Sequence, residues 1–151
     1  MKRRLDKVRK LVRFREFRES VAVAEVRQRL VEMHQASRVL DSARFAMEDA
    51  EFWKERSLAG ECIDMNRYAF ALEGERQAMN RHEAAERELE DRQRYAGEAA
   101  GQWRQAASAT HAARDRMCLE NQREMEIVEK RMFDQLSDLL LSRRTGMDRH
   151  D

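Results

Sequence analysis

Proline is absent from all 151 residues of this chain, and only five glycines occur in it. Proline is the strongest helix breaker, and an ordinary globular chain carries roughly one in every twenty residues. The charged fraction is 39%, and apolar residues recur at steps of three and four. Together these features predict an all-α protein whose very long helices form a coiled coil.

The composition also limits the possible classes of function. Two long helices enclose few places for a substrate, so we predict a non-enzymatic protein with no cofactor and no small-molecule substrate. No window approaches the roughly 18 uncharged apolar residues that a membrane span needs. The basic first residues lack the apolar core of a signal peptide. With only Cys62 and Cys118, we expect free thiols and a cytoplasmic location.

The expected architecture is one antiparallel coiled-coil hairpin over residues 1–146, with the second helix longer than the first. Helix one covers about residues 2–57, a bend covers about 58–64, and helix two covers about 65–144. Residues 147–151 are expected to form a disordered tail.

Local sequence sets these boundaries. Gly60 suits a left-handed helix C-cap, and Asp64 can cap the start of the next helix. Thr145–Gly146 is a credible stop for helix two. A turn near residue 61 then pairs Leu5 with Met117, so that helix two has no partner from about Glu120 onward.

The seam of helix one is clearest in its middle, where apolar residues follow a repeat close to 3.5. Its members are Val26, Leu30, Met33, Ala36, Leu40, Ala43, Met47 and Ala50. Upstream, Phe14, Phe17 and Val21 lie on a shifted seam. This shift fits either ordinary seam drift or a second face for a second partner, and both interpretations stay open.

Beyond Glu120, helix two still carries apolar positions that need another surface to cover them. They are Met125, Ile127, Val128, Met132, Phe133, Leu136, Leu139, Leu140 and Leu141. The first eighteen residues of the chain are strongly basic, with only Asp6 and Glu16 opposing the positive charge. Such a segment fits a solvated helix face, or a site for nucleic acid, an anionic membrane or an acidic protein. No base-reading pattern is evident, so nucleic acid is the less favoured partner.

Aromatic residues concentrate around the bend, where they fit either a thickened core or a contact site. Tyr68 and Phe70 cannot share one helix face, so at least one of them should be exposed. No residue pattern indicates catalysis, and the four histidines are too scattered for a metal site.

Two short stretches resemble a known family. The opening MKRRLDKVRKLVRFRE looks like the N-terminus of the YscO proteins of bacterial type III secretion injectisomes, in its basic character and in a chain length near 150 residues. The stretch CIDMNRY at residues 62–68 resembles the start of helix two in the flagellar counterpart, FliJ. The apolar Leu139–Leu141 run is a departure that is not expected in every member.

The resemblance implies a stalk similar to that of rotary ATPases. Both chain ends would enter the hexameric secretion ATPase, the bend would face the export gate, and translocator chaperones are possible further partners. The cytoplasmic location would then be peripheral to the inner-membrane apparatus. The implied gate contacts are Tyr68, Phe70 and Leu72. The implied ring contacts are Arg3, Arg4, Leu5, Val8, Arg9, Met132, Phe133, Leu136, Leu139 and Leu140.

Two other functions remain open from the residues themselves. One is a basic adaptor that binds nucleic acid or an anionic membrane surface. The other is a scaffold coiled coil that associates with itself. The stalk interpretation instead takes the chain to be a monomer.

Overall fold

The computed structural model describes residues 2–60 and 62–147, with the side chains of 4–60 and 62–143. Helix α1 runs over Lys2–Leu58 and helix α2 over Met65–Met147, and the described residues contain no strand. The chain is therefore an all-α helical hairpin with the longer helix second, as the sequence predicts. The expected tail lies outside the described residues from position 148 onward.

Of the two helix ends at the bend, the cap at the start of α2 was predicted correctly and the cap at the end of α1 was not. The Asp64 carboxylate accepts hydrogen bonds from the backbone N–H groups of Asn66 at 3.0 Å and Arg67 at 3.3 Å. These bonds satisfy donors that the first turn of α2 leaves unpaired, so the predicted N-cap is confirmed. The prediction for Gly60 was wrong, because no described glycine has a positive φ. Instead, the Ala59 N–H donates to the carbonyl of Arg56 at 3.4 Å.

The predicted stop of α2 was also wrong, since the helix continues through Thr145–Gly146 to Met147. One glycine weakens a helix by only about 1 kcal/mol relative to alanine. That cost is too small to end a helix without a proline or a cap beside it.

The described residues fall into two compact units. The bend unit comprises residues 20–104, and the terminal unit comprises 1–19 together with 105–151. Both helices contribute to both units.

Small side chains form the core of the bend unit. Its buried apolar residues are Ala36, Ala78, Ala85, Ala96 and Ala99. The predicted seam of α1 lies toward this core, although Leu30 keeps 41% of its surface exposed. Ion pairs flank the contact between the helices: Lys54 with Glu75 at 2.6 Å, and Arg92 with Glu32 at 3.0 Å. A core of methyl groups lets two helices approach closely but contributes little apolar area per contact.

The terminal unit has larger apolar side chains in its core. Leu5, Val8 and Val12 are buried, each with 7% or less of its surface exposed. Facing positions on α2 include Ala113 and Thr110, and the Thr110 hydroxyl donates to the Ala106 carbonyl at 2.9 Å. This bond satisfies a side chain that is only 1% exposed, which removes the cost of burying it.

Candidate protein-interaction surfaces

The partner of the chain's N-terminal end lies farther along α2 than the sequence suggested. Arg4 pairs with the largely buried carboxylate of Glu120 at 3.1 Å, and Arg123 reaches the same carboxylate at 3.3 Å. Leu5 and Ile127 line the same crevice. The contact between the helices therefore reaches a little past the predicted limit near Glu120, as far as the crevice that Ile127 also lines.

The last part of α2 carries an exposed apolar stripe, which we call the terminal stripe. The exposed fractions of its side chains run from 58% to 73%. Its members are Met132, Phe133, Leu136, Leu139 and Leu140. An amphipathic helix that leaves such a face in water has the character of an interaction surface.

The other predicted ring contacts divide into two groups. Leu5 and Val8 are buried in the core of the terminal unit, so they pack within the chain and offer no surface to a partner. Arg4 and Arg9 are exposed, with Arg9 loosely paired to Asp6 at 3.9 Å. The side chain of Arg3 lies outside those described. All of these positions belong to the same unit as the terminal stripe.

Further along α1, the shifted seam stays outside the core. Phe14 is 53% exposed and Phe17 is 66% exposed, and the guanidinium of Arg18 lies 5.9 Å from the centre of the Phe14 ring. Glu16, one of the few acidic residues there, is held by Arg114 at 2.7 Å. This bond raises the pKa of Arg114.

The predicted gate contacts lie in the bend unit and differ in accessibility. Phe70 is 84% exposed, Leu72 is 40% exposed, and Tyr68 is half-buried. The expectation that at least one of Tyr68 and Phe70 is exposed is confirmed by Phe70. The neighbouring Phe52 and Trp53 are also mainly exposed, and their rings meet edge to face with centres 6.0 Å apart.

Beside these aromatics, α1 and α2 enclose a groove of about 680 Å³, which we call the bend groove. Its lining combines small residues with the large Trp53 and Phe70, two arginines and two small polar side chains. The lining is Ala50, Trp53, Arg56, Ser57, Asn66, Arg67, Phe70, Ala71 and Gly74.

Arg56 and Arg67 also belong to this site, although no sequence pattern discussed above pointed to them. The arginine and the aromatic residue are three positions apart on each side of the bend: Trp53 with Arg56, and Arg67 with Phe70. Residues three apart share a helix face, so this mirrored spacing could have indicated the groove. The Arg56 guanidinium lies 5.9 Å from the centre of the Trp53 ring and 6.0 Å from that of Phe52.

Three further observations concern the thiols, the metal-ligating side chains and the apolar length of the helices. Cys62 and Cys118 are exposed free thiols. Among the described residues, no group of three or more His, Cys, Asp or Glu side chains is arranged to hold a metal ion. No helical stretch within that part of the chain has the apolar length needed to cross a bilayer.

Comparisons with known proteins found no matching family model, no matching curated protein and no matching solved structure.

Proposed function

We propose that this chain is the non-enzymatic central stalk of a bacterial type III secretion ATPase. Its two ends insert into the hexameric ring and promote ring assembly and activity. The bend faces the export gate, and the same chain recycles translocator chaperones. The proposal rests on the YscO-like and FliJ-like sequence stretches, together with the contrast between the basic and apolar chain ends and the aromatic bend.

One observation carries most of the weight. The terminal stripe exposes five large apolar side chains on a helix end that belongs to the same unit as the basic start of α1. An apolar stripe beside positive charge suits a partner with an apolar channel and acidic residues around it. The entrance of a hexameric ring can supply both features around a single inserted helix pair.

The test is ATP hydrolysis by a hexameric type III secretion ATPase with and without this chain, together with sizing of the mixture. We expect faster turnover and a shift of the ATPase toward the hexamer. The double variant Phe133→Glu with Leu140→Glu should abolish both effects, because it places charge within the terminal stripe without touching the core.

Phe45→Glu is the matched control, since Phe45 is 67% exposed but lies in the bend unit. It should stimulate the ATPase like the parent chain. Equal stimulation by the terminal-stripe variant and the control would refute ring docking. Concentration-dependent self-association that the terminal-stripe variant abolishes, without any effect on the ATPase, would favour the scaffold function instead.

A further inference from the structure

We infer that the bend groove is a docking site for an acidic amphipathic peptide segment of a partner protein. The inference goes beyond the proposed function, which assigns no ligand chemistry to this groove, although Phe70 is also one of the implied gate contacts. It rests on the lining of the groove, so it would stand if the stalk assignment failed.

The size of the lining residues suits a helical occupant. The groove of about 680 Å³ is lined by the small Ala50, Ala71 and Gly74 together with the large Trp53 and Phe70. A Cβ atom added at Gly74 would meet nothing within 4 Å. There is therefore room at Gly74, and apolar anchors from a helix could enter the groove there as they enter other helix-binding grooves.

The types of residue that line the groove are those of a protein-binding site. Trp53 is 61% exposed and Phe70 is 84% exposed, although both could bury large apolar areas. Tryptophan and arginine are the residues most enriched among energetic hot spots of protein interfaces. The groove combines Trp53 with Arg56 and Arg67, so it has the composition of such a hot spot.

The charge of the groove lining is positive. The two charged residues that line the described part of the groove are both arginines. Lys54, on the inner side of α1, is instead occupied by Glu75 at 2.6 Å, and this hydrogen bond raises the pKa of Lys54. Arg56 and Arg67 are the charged residues of the lining, and carboxylates are the complementary ligands of guanidinium groups.

These three features favour a peptide over a nucleic acid. A single strand of nucleic acid needs positive charge along its whole backbone path, whereas the lining of this groove has two arginines among alanines and a glycine. An amphipathic helix with apolar anchors on one face and Glu or Asp beside them complements both the small apolar residues and the arginines.

The experiment measures fluorescence anisotropy of three labelled probes with the full chain. The first probe is a synthetic amphipathic helix about four turns long, with Leu and Phe on one face and Glu elsewhere. The second has Lys in place of every Glu, and the third is a single-stranded oligothymidine. We expect saturable binding of the acidic peptide, at least about tenfold tighter than that of the other two.

Two variants test the location of the binding site. Gly74→Leu places a large side chain in the bend groove and should weaken binding of the acidic peptide by about tenfold or more. Gly97→Leu is its matched control, because Gly97 is also helical and an added Cβ there likewise meets nothing within 4 Å. Both variants should fold at least as well as the parent chain, since leucine favours a helix more than glycine does.

A charge swap gives a readout that misfolding cannot imitate. Arg56→Glu with Arg67→Glu should reverse the preference, so that the basic peptide binds better than the acidic one. Arg76→Glu, on another face of α2, should leave the preference unchanged. Equal binding by the Gly74→Leu and Gly97→Leu chains, tighter binding of oligothymidine, or an unchanged preference after the swap would each overturn the inference.

Discussion

At the scale of single residues, Glu32 joins the two helices of the bend unit. Its carboxylate accepts hydrogen bonds from Gln28 at 3.2 Å, Arg29 at 3.1 Å and, across the interface, Arg92 at 3.0 Å. The hydrogen bond from Gln28 is the largest cause of a lowered pKa for Glu32, and the two arginines lower it further. The ionised form is thus favoured in the folded chain.

This lowered pKa predicts a pH dependence of stability. A carboxylate with a depressed folded-state pKa stabilises the fold above its unfolded pKa of about 4.3 and loses that contribution as the pH falls through the folded value. Glu32→Gln should therefore lower the urea midpoint at pH 7 and have little effect near pH 3. Glu25→Gln is the control, because Glu25 pairs with Arg29 on its own helix. A Glu32→Gln effect that is equally large at both pH values would contradict this account.

Residue-level prediction succeeded where the cause is local. The N-cap at Asp64 needs only a short acidic side chain before a helix-forming run. The pair between Arg4 and Glu120 could not be predicted in this way. Which turn of α2 faces Arg4 depends on the path of the chain through residues 59–64, and a small change there moves every cross-helix pair.

At the scale of the helices, α2 contains three interior glycines that the surrounding structure does not require. Gly74, Gly97 and Gly101 each have space for a Cβ, and none has a positive φ. We expect Gly97→Ala to raise the free energy of unfolding by about 1 kcal/mol, because alanine loses less backbone entropy in a helix. Denaturant unfolding followed by circular dichroism measures the change.

Gly60→Ala provides the comparison, because Gly60 lies outside both helices. Its effect on stability should be clearly smaller than that of Gly97→Ala. Equal effects at the two positions would show that helix propensity is not the cause.

The extent of α1 followed from the sequence, whereas the use of the helix faces did not. Absence of proline and a high content of helix formers predicted α1 to within one residue at its end. The same pattern did not separate the two apolar faces at the start of α1, where Val12 is buried and Phe17 is 66% exposed. Periodicity indicates that a face is apolar, but only the register between helices decides which face is covered.

At the scale of the whole molecule, apolar residues divide into those that stabilise the fold and those exposed on its surface. Leu5, Val8 and Val12 belong to the first group, and the terminal stripe belongs to the second. The bend groove and the terminal stripe lie in different units. Two surfaces of different character, one with arginines around a groove and one a continuous apolar stripe, suit two different partners.

This division predicts the outcome of ending the chain after Lys130. Because the terminal stripe is exposed, its removal takes away little packing within the chain, so the urea midpoint should stay close to that of the full chain. Binding of an apolar dye such as ANS should fall, since the largest exposed apolar run of α2 is gone.

Leu5→Ala should do the opposite: it leaves the stripe in place and costs about 2–5 kcal/mol, because it empties a buried site. Dye binding and urea unfolding of the two variants together separate the roles. A truncation as destabilising as Leu5→Ala would mean that the terminal stripe packs within the chain, and it would remove the surface on which ring docking depends.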